Sequence, residues 1–376
     1  LPLGQRLRGL KGRLFLLWLI VGLLSPPIGL AEPVEGLYTT DVLVSSQGRA
    51  ERVRAAGEGL AEVLLRVSGH PPALRHPEVR QALKRAQRYV SEFSYESTEE
   101  TLETGGAIKP AHKLILKYSA SQVEQLLRKA QQPIWPSNRP NLLVWLVIDE
   151  FPSGRRLVGD APVQDSLRAA ALRRGLPMIY PLLDLQDQIA LSADALWDMD
   201  EASVLAASRR YHADGILVGR YSQTSRGQWL ANWKLLHKDE AVIFDSASEE
   251  FERMLNGGLD QVADYLAGLY AIVPGEQGPD AVVVQLSGVD DFASYAAALN
   301  YLDGLAMVRH AALVAVRGDT LLLNLFTEGD LSQLLDTLAL DNKLIPANEG
   351  GSLSLPGSRY STKGSAENPL QFRWPR

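Results

Sequence analysis

The chain has 376 residues, with 38 Lys+Arg against 44 Asp+Glu for a formal charge of −6, 46% hydrophobic residues and no cysteine. At roughly 150 residues per domain this length predicts two or three domains, and the apolar fraction is that of a globular protein, not of a disordered chain or a polytopic membrane protein. Without a thiol there is no disulfide framework, thiolate metal site, cysteine nucleophile or lipidated cysteine.

The amino terminus has the three-part layout of a secretory signal peptide. Arg6, Arg8, Lys11 and Arg13 precede the apolar run from Leu14 to Leu24, and Ser25-Pro26-Pro27 leads to the small residues Gly29 and Ala31. This predicts a signal over residues 1–31, cleaved between Ala31 and Glu32. As a helix the apolar run would span roughly 16 Å, about half of a bilayer's hydrocarbon, so no stable membrane anchor is expected after cleavage. Removing four cations and no acid leaves 34 basic against 44 acidic residues, net −10. That balance argues against nucleic acid as a partner, because phosphate binding needs a basic face. The expected location is the periplasm.

The mature chain reads as α+β, in three small tandem modules and a tail. Residues 32–132 follow the order β-α-α-β-β-α. Ser45-Ser46 are placed to cap the first helix, and Ser121-x-x-Glu124 has the form of a capping box for the last. The stretch 133–140 holds three prolines and reads as an extended connector. Residues 141–273 form a central α/β module. Its strand Leu142 to Ile148 is continuously apolar, as suits a strand covered on both faces. Its closing helix carries Gly257-Gly258, which predicts a bend or break. A linker at 274–280 leads to residues 281–347, whose βαββαβ order is that of a ferredoxin-like domain. Residues 348–376 are rich in Gly, Ser and Pro and read as a disordered tail.

The chemistry-bearing residues form no catalytic motif. No phosphate-binding loop, dinucleotide fingerprint, nucleophile elbow or zincin motif occurs, and no cofactor or metal is expected. His212 lies two residues from Asp214, an arrangement that admits an acid–base dyad but is equally a helix-to-strand turn. Asp194, Asp198, Asp200 and Glu201 form the densest acidic cluster, without the glycine-turned loop of a calcium site, so helix capping by Asp198 or Asp200 and a solvated face are the simpler readings. The candidate binding residues are Trp135, Asn138, Arg139 and Trp145 at the connector. Their indoles and guanidinium could read a peptide or a sugar ring, or could pin the connector to the modules it joins.

Several stretches carry a resemblance across nearly the whole mature chain. They are Val63-Leu64-Leu65-Arg66-Val67-Ser68-Gly69, the run from Pro77 to Leu83 ending in Arg88-Tyr89-Val90, the connector followed by Leu142-Leu143-Val144-Trp145-Leu146, and Ala213-Asp214-Gly215-Ile216-Leu217-Val218-Gly219. Together they resemble an exported bacterial family catalogued as domain of unknown function 2066, which implies no activity and no functional residues. The central module's element order, with its Ala-Asp-Gly-Ile-Leu-Val-Gly strand entry, is similar to the amino-terminal domain of TolB and to CsgG- and LpoB-like domains. That likeness implies binding to other proteins. Val283-Val284-Gln285-Leu286-Ser287-Gly288 resembles the opening of the SPOR peptidoglycan-binding repeat, with Ser287-Gly288-Val289 in place of the usual Gly-Ser-aromatic turn. The combined expectation is a non-catalytic periplasmic protein that binds other proteins in cell-envelope assembly or maintenance. The alternatives are a peptidoglycan- or glycan-binding module through residues 281–347 and, third, a hydrolase or metal-dependent enzyme.

Overall fold

The structure is a computed structural model that describes residues 34, 36–104, 106–274, 281–347 and 363–375. The expected signal peptide with its cleavage point at Ala31 and Glu32, residues 275–280 of the linker and residues 348–362 of the tail lie outside the described residues.

The first module is a three-stranded antiparallel sheet in the order β1 (Thr39–Val44), β3 (Ala107–Tyr118), β2 (Val90–Thr104). Helices α1 (Arg49–Ser68), α2 (Pro77–Leu83) and α3 (Ala120–Lys129) complete it. Leu60, Val63, Leu64 and Val67 of α1, spaced at three and four, pack with Leu114 and Leu116 of β3 and Val123 and Leu127 of α3. Both expected caps are corrected. Helix α1 starts after Gly48 with no side-chain cap, and Ser46 only accepts the Gly48 N–H at 3.4 Å. Helix α3 starts after Ser119, which places Ser121 inside the first turn, and Glu124 accepts a hydrogen bond from the Tyr38 hydroxyl at 2.6 Å. Glu124 is drawn into a contact 86 residues away, which local spacing could not reveal.

The central sheet runs β5 (Gly154–Leu157), β4 (Leu142–Glu150), β7 (Gly215–Gln223), β8 (Trp229–His237), β9 (Glu240–Ser248), with the short β6 (Met178–Ile179) parallel to the start of β4. Strands β4 and β7 are parallel from Leu142↔Gly215, and β7-β8-β9 is an antiparallel meander. Helices α4 (Ala161–Arg174) and α8 (Phe251–Tyr270) cover one face. Three short helices, α5 (Leu185–Ala190), α6 (Ala193–Trp197) and α7 (Glu201–Ser208), lie in the stretch that supplies the core on the other. The two faces explain why Leu142 to Ile148 is apolar throughout: alternate side chains enter different cores.

The expected break at Gly257-Gly258 is absent, since α8 is continuous over 20 residues. The need for glycine is steric: a Cβ on Gly258 would lie 2.2 Å from Nε1 of the buried Trp233. Gly258→Ala is therefore expected to cost about 3 kcal/mol, because the indole is also held by its Nε1–H bond to Ser246 at 2.9 Å. Denaturant unfolding of the variant measures this. Gly257→Ala meets only Ser246 at 3.5 Å and should be neutral or slightly stabilising.

The third module contains β10 (Val282–Ser287), α9 (Phe292–Asp303), β11 (Val308–Arg317), β12 (Thr320–Thr327), α10 (Leu331–Asp341) and β13 (Ile345–Pro346), in the expected βαββαβ order. The sheet order is corrected by a fifth strand. Leu370–Arg373, inside the segment expected to be disordered, forms β14, and the sheet runs β11-β12-β10-β14-β13. Strand β14 pairs parallel with β10, at the position where β13 would sit in a four-stranded ferredoxin-like sheet, and β13 is displaced to the edge. Leu370 and Phe372 are buried in the module's core, so the period-two pattern of Leu370, Phe372 and Trp374 is a strand signal at the end of a Gly/Ser/Pro-rich stretch.

The described residues form one compact unit. Ile134 bridges Ile272 between the connector and the end of α8, Leu340 of α10 enters the central core, and Lys238 pairs with Asp336 at 2.6 Å. Among the described residues no helix is long and apolar enough to cross a membrane.

Candidate functional site

The candidate residues at the connector, open to reading a ligand or to pinning the connector to its modules, are engaged within the fold. Trp135, Arg139 and Trp145 are 1%, 2% and 0% exposed, and Asn138 donates from Nδ2 to the Thr337 carbonyl at 3.1 Å, tying the connector to α10. Trp135 and Trp145 belong to opposite cores of the central sheet, so the structure does not bring them together.

Arg139 is the centre of the junction between the first two modules. Its guanidinium lies 3.9 Å from the Trp135 ring centroid, and its five N–H groups all reach backbone carbonyls. Nε donates to Pro136 at 2.9 Å, Nη1 to Arg174 and Gly175 at 2.9 Å each, and Nη2 to Arg66 at 2.8 Å and Trp135 at 3.1 Å. The Arg66 carbonyl belongs to the last turn of α1, and the Arg174 and Gly175 carbonyls to the end of α4. A helix's final carbonyls lack intrahelical donors and carry the negative end of its dipole, so one buried cation caps two helices. Two more buried arginines flank it. Arg66 pairs with Glu62 and donates to the Thr39 carbonyl at 2.7 Å, and Arg174 pairs with Asp260 at 2.8 Å and with Asp264. Burial, with Arg66 and then Arg174 adding repulsion, pushes the Arg139 pKa down to about 9, which leaves it charged at neutral pH.

The acidic cluster is dispersed into separate tasks. Asp194 pairs with Arg155 at 3.0 Å, Asp198 lies 4.0 Å from the same guanidinium, and Glu201 pairs with Lys234 at 3.0 Å. Asp200 caps α7 by accepting the Ser203 N–H at 3.2 Å. Among the described residues no three His, Asp or Glu side chains are grouped to hold a metal ion. His212 and Asp214 form no dyad. The Asp214 carboxylate accepts the Asn141 N–H at 2.8 Å, and the imidazole in hydrogen-bond reach of the Asp214 carbonyl is that of His237, with Nδ1 at 3.0 Å. His237 Nε2 lies 2.6 Å from the Tyr270 hydroxyl, and burial holds its pKa below the usual histidine value.

The surface that stands out lies between β6 and α6. Leu182, Leu185 and Ile189 are 71%, 71% and 77% exposed, and Leu185 and Ile189 share one face of α5 at i,i+4. A ridge of three large aliphatic side chains in water needs rigid support to persist, and the support is polar. Asp184 caps α5 by accepting the Asp187 N–H at 3.0 Å. The buried Asp187 carboxylate accepts from the Leu183 N–H at 2.9 Å, from Arg210 Nη1 at 3.1 Å and from the Tyr211 hydroxyl. That hydroxyl accepts the Leu182 N–H at 2.9 Å, and Arg210 forks onto both Asp184 oxygens at 2.9 Å. Leu183, at φ 51°, is half-buried and packs against the core beneath. Tyr211 stands edge-on to Trp145 with centroids 6.1 Å apart, so this buried indole supports the ridge. Burial and the Asp187 hydrogen bond both raise the Tyr211 pKa.

The spacing Leu182, Leu185, Ile189 is a helical stripe and was available in sequence. Its outward direction is set by Asp187, whose partners lie 23 and 24 residues away. Asp187→Ala should destabilise the protein by about 2 kcal/mol, since the Leu183 N–H and the Tyr211 hydroxyl lose their acceptor while Arg210 keeps Asp184. Hydrogen exchange should show the 181–190 amides losing protection before the rest of the sheet does.

A family described as a domain of unknown function (DUF8605) matches residues 31–136, which is the first module with the start of the connector. No curated protein matches the chain. A solved structure described as the crystal structure of an uncharacterized protein is 10% identical, covers 35% of this chain and 88% of its own, and superposes with a TM-score of 0.15.

Proposed function

We propose that this chain is an exported, non-catalytic protein of the bacterial cell envelope that binds another protein through the Leu182-Leu185-Ile189 ridge. The observation that carries this reading is the ridge itself: three exposed aliphatic side chains held by a buried carboxylate network on a sheet-backed layer. Exposed apolar groups with fixed positions and a polar rim are the anatomy of a protein interface. The resemblances to the exported family 2066 and to TolB-like domains point the same way. The partner's complementary surface carries an apolar socket.

The test is site-specific photo-crosslinking in cells at positions 182, 185 and 189, with an exposed position on the first module as control. A discrete adduct at the ridge that disappears in Leu185→Asp/Ile189→Asp, with unchanged unfolding, is the expected result. Equal labelling at ridge and control positions sinks the proposal.

A second reading is favoured by one observation. A cleft of about 270 Å³ on the third module is lined by Gln285, Arg317, Thr320, Leu322, Glu367 and Gln371, a mixture of amides, charge and apolar surface that suits a glycan. Co-sedimentation with isolated peptidoglycan, lost in Gln285→Ala/Arg317→Ala, distinguishes it from the first.

A further inference from the structure

The third module is completed by a strand from outside its βαββαβ sequence, and that strand is a separable part. Its attachments to β10 are mostly main-chain bonds: Trp374 N–H to the Ser287 carbonyl at 2.8 Å, Val283 N–H to the Gly364 carbonyl at 2.7 Å, and the parallel register from Val284↔Leu370 to Ser287↔Arg373. Its side-chain attachments are knobs at period two: Leu370 and Phe372 in the core, and Trp374 against Tyr301 with centroids 6.1 Å apart. On its outer side, among the described residues, it is held by two register pairs with β13 and by the Ala347 N–H bond to the Gln371 carbonyl at 3.0 Å.

We propose that residues 363–375 are an exchangeable strand that docks onto β10 of a second copy of this chain, producing a strand-swapped dimer. Main-chain pairing with pockets for alternate side chains is the general grammar of strand addition, and an identical copy offers the same edge and the same pockets. The connection permits it. Residues 348–362 separate Ala347 from Lys363 and at about 3.3 Å per residue can span up to roughly 50 Å. Yet Ala347 already hydrogen-bonds Gln371. Gln371 is eight residues beyond Lys363, so the two ends of the tether lie within about 30 Å of each other, and the tether's reach extends to a neighbour's β10 as well. When β14 leaves, β13 runs in the direction that pairs antiparallel with β10, so the vacated edge has a second occupant within the same module.

The absence of cysteine gives a clean background for a disulfide test. Gln285 and Gln371 are register partners and are half-buried, not enclosed. Full-length Gln285→Cys and Gln371→Cys are prepared separately, mixed at high concentration under mildly destabilising conditions, returned to native buffer and oxidised. Exchange predicts a covalent heterodimer severalfold above the disulfide dimer formed by either variant alone. It also predicts a dimer population for the unmodified chain in native mass measurements. The double variant Gln285→Cys/Gln371→Cys should close within the monomer at low concentration, which verifies the register and folding. Efficient closure of the double variant with no heterodimer above background overturns the proposal, as does failure of the double variant to close while its unfolding transition matches that of the parent chain.

Discussion

Arg139→Ala is expected to lower the unfolding free energy by roughly 3–5 kcal/mol, as much as a large core truncation, although among the described residues Arg139 has no ion pair. Five carbonyls lose their donor at once, three of them at the ends of two helices that meet there, and in a site 2% exposed water cannot replace all five. Trp135 also loses the plane stacked on its ring. Removing one cation relieves its repulsion with Arg66 and Arg174, which offsets part of the loss but leaves the carbonyls bare. Arg139→Lys is the sharper variant. An ammonium keeps the charge but has three donors and no planar fork, so it should still lose about 2 kcal/mol. Urea unfolding gives the magnitudes, and limited proteolysis in the connector at 133–140 should accelerate in both variants. A loss below about 1 kcal/mol for the alanine variant would mean that the two helix ends find other donors, and the junction would not depend on this residue.

Truncation after residue 362 is expected to cost roughly 3–6 kcal/mol in the third module, from the burial of Leu370 and Phe372 alone at about 1.5–3 kcal/mol each. It also strips β10 of a hydrogen-bonded neighbour, so exchange at the Val282–Ser287 amides should rise and an exposed edge should promote association. A synthetic peptide covering residues 363–376 should restore both protection and the unfolding midpoint. Unchanged protection of β10 after truncation would show that β13 has moved inward and that β14 is dispensable.

Local chemistry carried much of the fold into the sequence. The helix α1 stripe and the βαββαβ order are each written in spacings of two to four residues. Helix start positions were less legible: no side chain caps α1, Ser121 falls inside the first turn of α3, and Glu124 accepts from the distant Tyr38. The helices of the stretch 181–199 are only five and six residues long. Such helices depend on caps and on tertiary support more than on propensity. At the connector, an indole and a guanidinium beside three prolines mark Trp135 and Arg139 in the sequence. What they do there depends on burial, which no spacing encodes.

Read alone, the 376 residues determined the α+β class, the division into three modules, the proline connector, the absence of thiol chemistry and an acidic balance, because these follow from composition and short-range periodicity. Tertiary structure alone decided three things. Arg139 faces carbonyls from α1 and α4, the Leu182-Leu185-Ile189 stripe faces water, and a strand from the chain's last residues enters the third sheet. Each depends on partners brought together from distant parts of the chain: Arg66 and Arg174 lie 73 and 35 residues from Arg139, and Asp187 lies 24 from Tyr211. Those partners are selected by the need to satisfy buried donors, acceptors and strand edges after the modules have packed.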